Sequence, residues 1–139
     1  MGREGIDPQQ ADRELRTRAA RIRSEDLERI LERKQELQNK LEHVPGKFGQ
    51  LVNQVKLLFE MIKDYWQGNY STVPWTSIAM AAGALLYFLA PIDLMPDFFP
   101  GVGYVDDALV VALAINALQE DLRAYCAFKG YDFAKYFGG

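Results

Sequence analysis

Four aspartates are the residues of this chain best suited to chemistry. Asp93, Asp97, Asp106 and Asp107 crowd into Tyr87–Asp107, YFLAPIDLMPDFFPGVGYVDD, and no Lys or Arg lies between Lys63 and Arg123 to neutralise them. Carboxylates gathered without countercharge either recruit a hard cation such as Mg²⁺ or Ca²⁺ or drive some of their own pKa values upward. The spacing is not that of an EF-hand loop, and no His or Cys supplements it. The competing account is structural. Asp93 stands three residues before Pro96 and Asp97 directly after it, where carboxylates cap a short turn. Asp106 and Asp107 fall in the first turn of the following helix, where the helix dipole favours negative charge. The structural account is preferred, with Asp93, Asp97, Asp106 and Asp107 kept as candidate metal ligands.

No other set of residues suggests catalysis. The chain lacks a Ser/His/Asp set, a phosphate-binding glycine loop and a Cys/His pair. Its one histidine, His43, stands beside a helix break and is expected at the surface. Its one cysteine, Cys126, excludes an internal disulfide and a Cys-based zinc cage. The expectation is a protein without enzymatic activity or cofactor.

The elements that position these aspartates are helical. The opening Gly2, Gly5 and Pro8 suggest an arm, and 11–41 reads as one long charged helix. Within it Leu27, Ile30, Leu37, Leu41 and Val44 recur at near-heptad spacing, as a coiled-coil seam or a packed face would. Val44-Pro45-Gly46 breaks the helix. A second helix over 47–66 carries Phe48, Leu51, Val52, Val55, Leu58, Phe59, Ile62, Tyr65 and Trp66 on one stripe, with Lys47, Lys56 and Lys63 off it. Pro74 opens a third helix, 75–90, that is uncharged and rich in small residues. Ala79 and Gly83 would let another helix approach it closely. Pro91 ends this helix, 91–103 is a Pro/Gly connector, and a last long helix is predicted over 104–128. No period-2 strand pattern occurs, so the fold class is all-α: a helical bundle with a charged N-terminal arm (1–44) and a helical domain (45–139).

Charge divides the chain. Up to Asp64 there are 13 Lys/Arg against 12 Asp/Glu, and from Tyr65 onward 3 against 7, for a net charge of −3. From Tyr65 to Ile92 there is no charge of either sign.

The connector carries a longer pattern. Pro91, Asp93, Leu94, Pro96, Asp97, Pro100, Gly103, Asp106 and Asp107 occur in an order that resembles the YkvA-like family, a domain of unknown function (1232), over about 78–118. The family's hallmark is an aromatic-rich helix end, Pro-x-Asp-Leu-hydrophobic-Pro-Asp, a hydrophobic-Pro step, Gly, and a closing Asp-Asp. The resemblance implies a small, mostly bacterial, membrane-associated protein with no established activity, and it does not extend to the charged N-terminal half.

The functional expectation is therefore a membrane-associated adaptor or structural protein. Its hydrophobic hairpin would be flanked by Lys56 and Lys63 on one side and Arg123 and Lys129 on the other, placing it at the cytoplasmic side of the membrane. Asp106 and Asp107 argue against deep insertion, so a shallow or peripheral hairpin stands beside a spanning one. The alternative is a soluble cytoplasmic interaction module, such as an acidic inhibitor of a basic protein. Lipid or a protein partner is expected, with self-association through the N-terminal helix. The run Arg13, Arg16, Arg18, Arg21 and Arg23 can reach phosphates or anionic lipid, but interleaved acids make it read as a solvated helix face, and nucleic acid is not expected.

Overall fold

The computed structural model describes residues 8–89 and 103–137, without the side chains of Pro8, Gln10, Ala11, Glu14 and 103–109. Its helices are α1 (Pro8–Ala20), α2 (Ser24–Glu32), α3 (Lys34–Glu42), α4 (Gly49–Trp66), α5 (Trp75–Leu89), α6 (Gly103–Ala117), α7 (Gln119–Lys129) and α8 (Phe133–Phe137), with a single 3₁₀ turn at Gly46–Phe48. No strand occurs among the described residues. The chain is an all-α bundle.

Its centre is α5. A helix apolar on every side must be covered on every side, and α1, α2, α4 and α6 all pack on this one. Ile78, Ala81, Ala82, Ala84 and Leu85 are fully buried. Gly83 has a steric reason: a Cβ there would lie 3.3 Å from the Ala19 backbone nitrogen. The close approach expected of α5's small residues is thus made by α1, out of the charged N-terminal arm. Leu15 of α1 closes that contact in a small cluster with Ala84, Val110 and Ala114.

The single helix expected over 11–41 is divided into three. Arg23 is extended (φ −126°, ψ 169°), and Asp26 reaches back to accept its backbone N–H at 2.8 Å, starting α2 afresh. A second bend falls at Arg33. One straight rod would not deliver Leu15 to α5 and α6 while also delivering Leu27, Ile30, Leu37 and Leu41 to the main core, and all five are buried. The near-heptad seam is therefore a packed face inside the chain.

The last helix bends at Leu118, but the bonds from Leu118 N–H to the Ala114 carbonyl and from Leu122 N–H to the Leu118 carbonyl carry the ladder through. On α4, Val55, Leu58, Phe59 and Ile62 are buried as the stripe predicts, while Phe48 and Trp66 are exposed. Leu57 and Met61 are also buried, so the apolar face is wider than the sequence reading.

Candidate functional site

Most of the aspartate motif lies outside the described residues: Pro91, Asp93, Leu94, Pro96, Asp97 and Pro100 are not among them. Gly103, Asp106 and Asp107 fall in the first turn of α6, with side chains that are not described. Among the described residues no three His, Cys, Asp or Glu side chains gather as a metal site would require. His43 is exposed, its Nδ1 2.8 Å from the Asn39 carbonyl oxygen.

The polar cluster that the structure does define was missed in the sequence. Asp64, 6% exposed, is the buried charged residue of the described core. It follows Leu57 and Met61 at i+7 and i+3, so α4 turns a carboxylate into the apolar interior on the same row. A lone carboxylate on a buried row was the signal available. Tyr125 of α7 donates its hydroxyl to Asp64 Oδ2, and Lys129 Nζ donates to the same oxygen at 3.1 Å. Lys129 also stands 3.4 Å from Glu60, which accepts the Tyr131 hydroxyl.

Two glycines shape this cluster. Gly68 (φ 81°) and Gly130 (φ 77°) adopt left-handed backbone that side-chain-bearing residues avoid. After Gly68 the chain folds back so that Asn69 and Tyr70 donate their N–H groups to the Asp64 backbone carbonyl. Beyond Gly130, Tyr131 N–H closes on the Cys126 carbonyl at 2.8 Å.

The electrostatics lock the protonation states. Burial alone raises the Asp64 carboxyl, but the Tyr125 hydroxyl and the Lys129 ammonium outweigh it and hold it below its ordinary value. Burial and the adjacent Asp64 carboxylate push the Tyr125 phenol far up. The hydrogen bond to Asp64 raises Lys129. Each group is driven further from neutral pH, so none is tuned to exchange a proton there. The arrangement is a clasp binding α4 to α7. Ser77 adds a parallel tie, its hydroxyl donating to Asp121 at 2.6 Å between α5 and α7.

The same end of the bundle exposes aromatic rings. Trp66 closes α4 and Trp75 opens α5, 41% and 38% exposed, with the Tyr65 ring 6.2 Å from Trp75. Phe128, 52% exposed, lies 4.7 Å from Tyr70. Lys63, one turn before Trp66 on α4, is exposed and makes no ion pair among the described residues.

Residues 77–113, which run along α5 and into α6, match the family described as "Protein of unknown function (DUF1232)". The uncharacterized membrane protein YkvA of Bacillus subtilis (strain 168) is 28% identical over 74 residues, spanning 53% of this chain and 70% of that protein. The segment 77–113 belongs to the YkvA-like family. No solved structure matches the chain. The YkvA-like segment thus coincides with the α5–α6 hairpin, beginning one residue before and ending five before the span the motif suggested (78–118). The relative is described as a membrane protein, yet no helix among the described residues is long and apolar enough to cross a membrane. At 15 residues, α5 spans roughly 22 Å against a hydrocarbon core of roughly 30 Å.

Proposed function

We propose that this chain is a non-enzymatic adaptor or structural protein that associates with a membrane from its surface, at the cytoplasmic side. The observation that carries the reading is the pair Trp66 and Trp75, half-exposed on one end of a bundle whose most apolar helix is covered by protein. Tryptophan and tyrosine are the side chains that favour the headgroup level, with an apolar body and a polar tip. Lys63 beside them suits an anionic surface. The similarity to a membrane protein supports the reading, as does a helical core already closed by α1, α2, α4 and α6. The non-enzymatic part rests on the Asp64–Tyr125–Lys129 clasp, whose groups are all held in one protonation state near neutral pH.

Vesicle sedimentation tests it. The full chain, purified without detergent, should pellet with liposomes containing phosphatidylglycerol, and the double variant Trp66→Ser/Trp75→Ser should pellet severalfold less. A chain that stays in the supernatant at every lipid concentration would refute the reading and favour the soluble interaction module. A chain that leaves cell membranes only in detergent would refute surface association.

A further inference from the structure

The arginine run of α1 does not end as a uniformly solvated face. At the α1–α2 junction, Thr17, Arg18, Arg21, Ile22 and Asp26 face Gly83 and Leu86 of α5 across a half-open pocket of about 480 Å³. Its volume lies within the range of small-ligand sites, roughly 300–1,000 Å³. Gly83 shapes the wall, because its missing side chain lets α1 lie close enough to carry Arg18 over α5. There the guanidinium sits 4.8 Å from the centre of the Tyr87 ring, which orients it.

We propose that this pocket binds a phosphate-class anion through Arg18 and Arg21. Arg18 Nε is shielded from solvent and has no hydrogen-bond partner. Arg18 as a residue is part-exposed and lines the pocket. An oxyanion seated there meets the open part of its side chain, whose position the packing of Nε and the Tyr87 ring fix. Arg21 lines the same pocket, and its side chain has no ion-pair partner among the described residues. The acidic lining residue, Asp26, does not neutralise them. Its Oδ2 accepts the Arg23 backbone N–H at 2.8 Å and its Oδ1 the Arg29 guanidinium at 3.2 Å, so one oxygen serves α2's cap and the other an ion pair along α2. Arg16, by contrast, is paired with Asp12 at 2.9 Å and stands outside the pocket. Ile22 and Leu86 give the remaining wall an apolar surface, which suits a phosphate that is free or that heads a lipid. The site stands apart from the aromatic end of the bundle, eight residues and about 12 Å further along α5 from Trp75 to Gly83, and does not depend on the surface reading.

The test uses the full chain, with Arg21→Ala, which removes an exposed side chain, and Arg18→Gln, which keeps most of the stem. Thermal unfolding is followed against inorganic phosphate, with chloride at matched ionic strength as control. The expected result is a saturable stabilisation specific to phosphate, weakened about ten- to a hundredfold in apparent affinity by each variant. Unfolding of both variants without phosphate checks that they fold. A second arm compares phosphatidic acid vesicles with phosphatidylcholine vesicles. Retention on phosphatidic acid lost in both variants assigns the anion to a lipid headgroup, whereas a phosphate response without lipid preference assigns it to a soluble phosphate. A folded Arg21→Ala protein with undiminished phosphate and lipid responses overturns the proposal, as does a wild-type chain that responds to neither probe.

Discussion

Two polar sites border the same helical core and are finished differently. At the clasp, the carboxylate of Asp64 meets a phenol and an ammonium, while its backbone carbonyl meets two N–H groups. At the α1–α5 pocket, Arg18 is held in place by packing and by Tyr87, yet its Nε has no acceptor. A buried charge surrounded by partners is bound into the architecture, and removing one partner strands the others. A part-exposed guanidinium held over one ring, with one N–H left without an acceptor, contributes less to the fold. The contrast separates a residue that holds the bundle together from one that is available to a ligand.

The largest expected effect is at the clasp. Asp64→Ala leaves the Tyr125 hydroxyl buried without its acceptor and should lower stability by about 2–3 kcal/mol in urea unfolding. A loss below about 0.5 kcal/mol would erase the distinction between the two sites. Next is the α1–α5 contact. Gly83→Val presses a branched side chain against the Ala19 backbone and should cost about 1–3 kcal/mol while detaching α1, visible as earlier amide exchange in 8–20.

Acid gives a smaller effect with a defined sign. The folded carboxyl of Asp64 lies below its unfolded value of about 3.9. Between those two values the unfolded state holds the extra proton, so stability rises with pH across that window. The clasp's contribution is complete above the unfolded value and is lost as pH falls through the folded one. Asp64→Asn should flatten that part of the stability profile, and an unchanged acid limb would show that the carboxylate is not what the clasp recognises. The smallest effect is at the pocket. Arg18→Met keeps the apolar stem against α5 and removes the unpaired donor, so stability without ligand should stay within about 1 kcal/mol of wild type. A loss as large as that of Asp64→Ala would make Arg18 a structural residue.

The helical architecture was readable because its signals are local. Pro45, Pro74 and Pro91 punctuate the chain, and Val55, Leu58, Phe59 and Ile62 keep helical spacing. The divisions of 11–41 were not readable. Neither Arg23 nor Arg33 is a helix breaker, and the break at Arg23 lets Leu15 and Leu27 reach different parts of the core. The clasp escaped for a related reason, since Asp64 meets Tyr125 and Lys129 from 61 and 65 positions away. Arg18 was legible as a charge, but its separation from Arg16 as the shielded member of the run depends on Gly83 drawing α1 onto α5. The aspartate motif read most distinctly in the sequence, yet Asp93 and Asp97 lie outside the described residues, so its structural and cation-binding accounts stand where the sequence left them.

Trp66 and Trp75 are the chain's two tryptophans, so its intrinsic fluorescence reports directly on the surface at issue. The decisive measurement is their emission during titration with phosphatidylglycerol vesicles, with quenching by lipids brominated at successive acyl depths. Surface association predicts a blue shift on binding and strongest quenching from the shallowest bromines. Emission unchanged at saturating lipid, or quenching strongest at the bilayer centre, would contradict it.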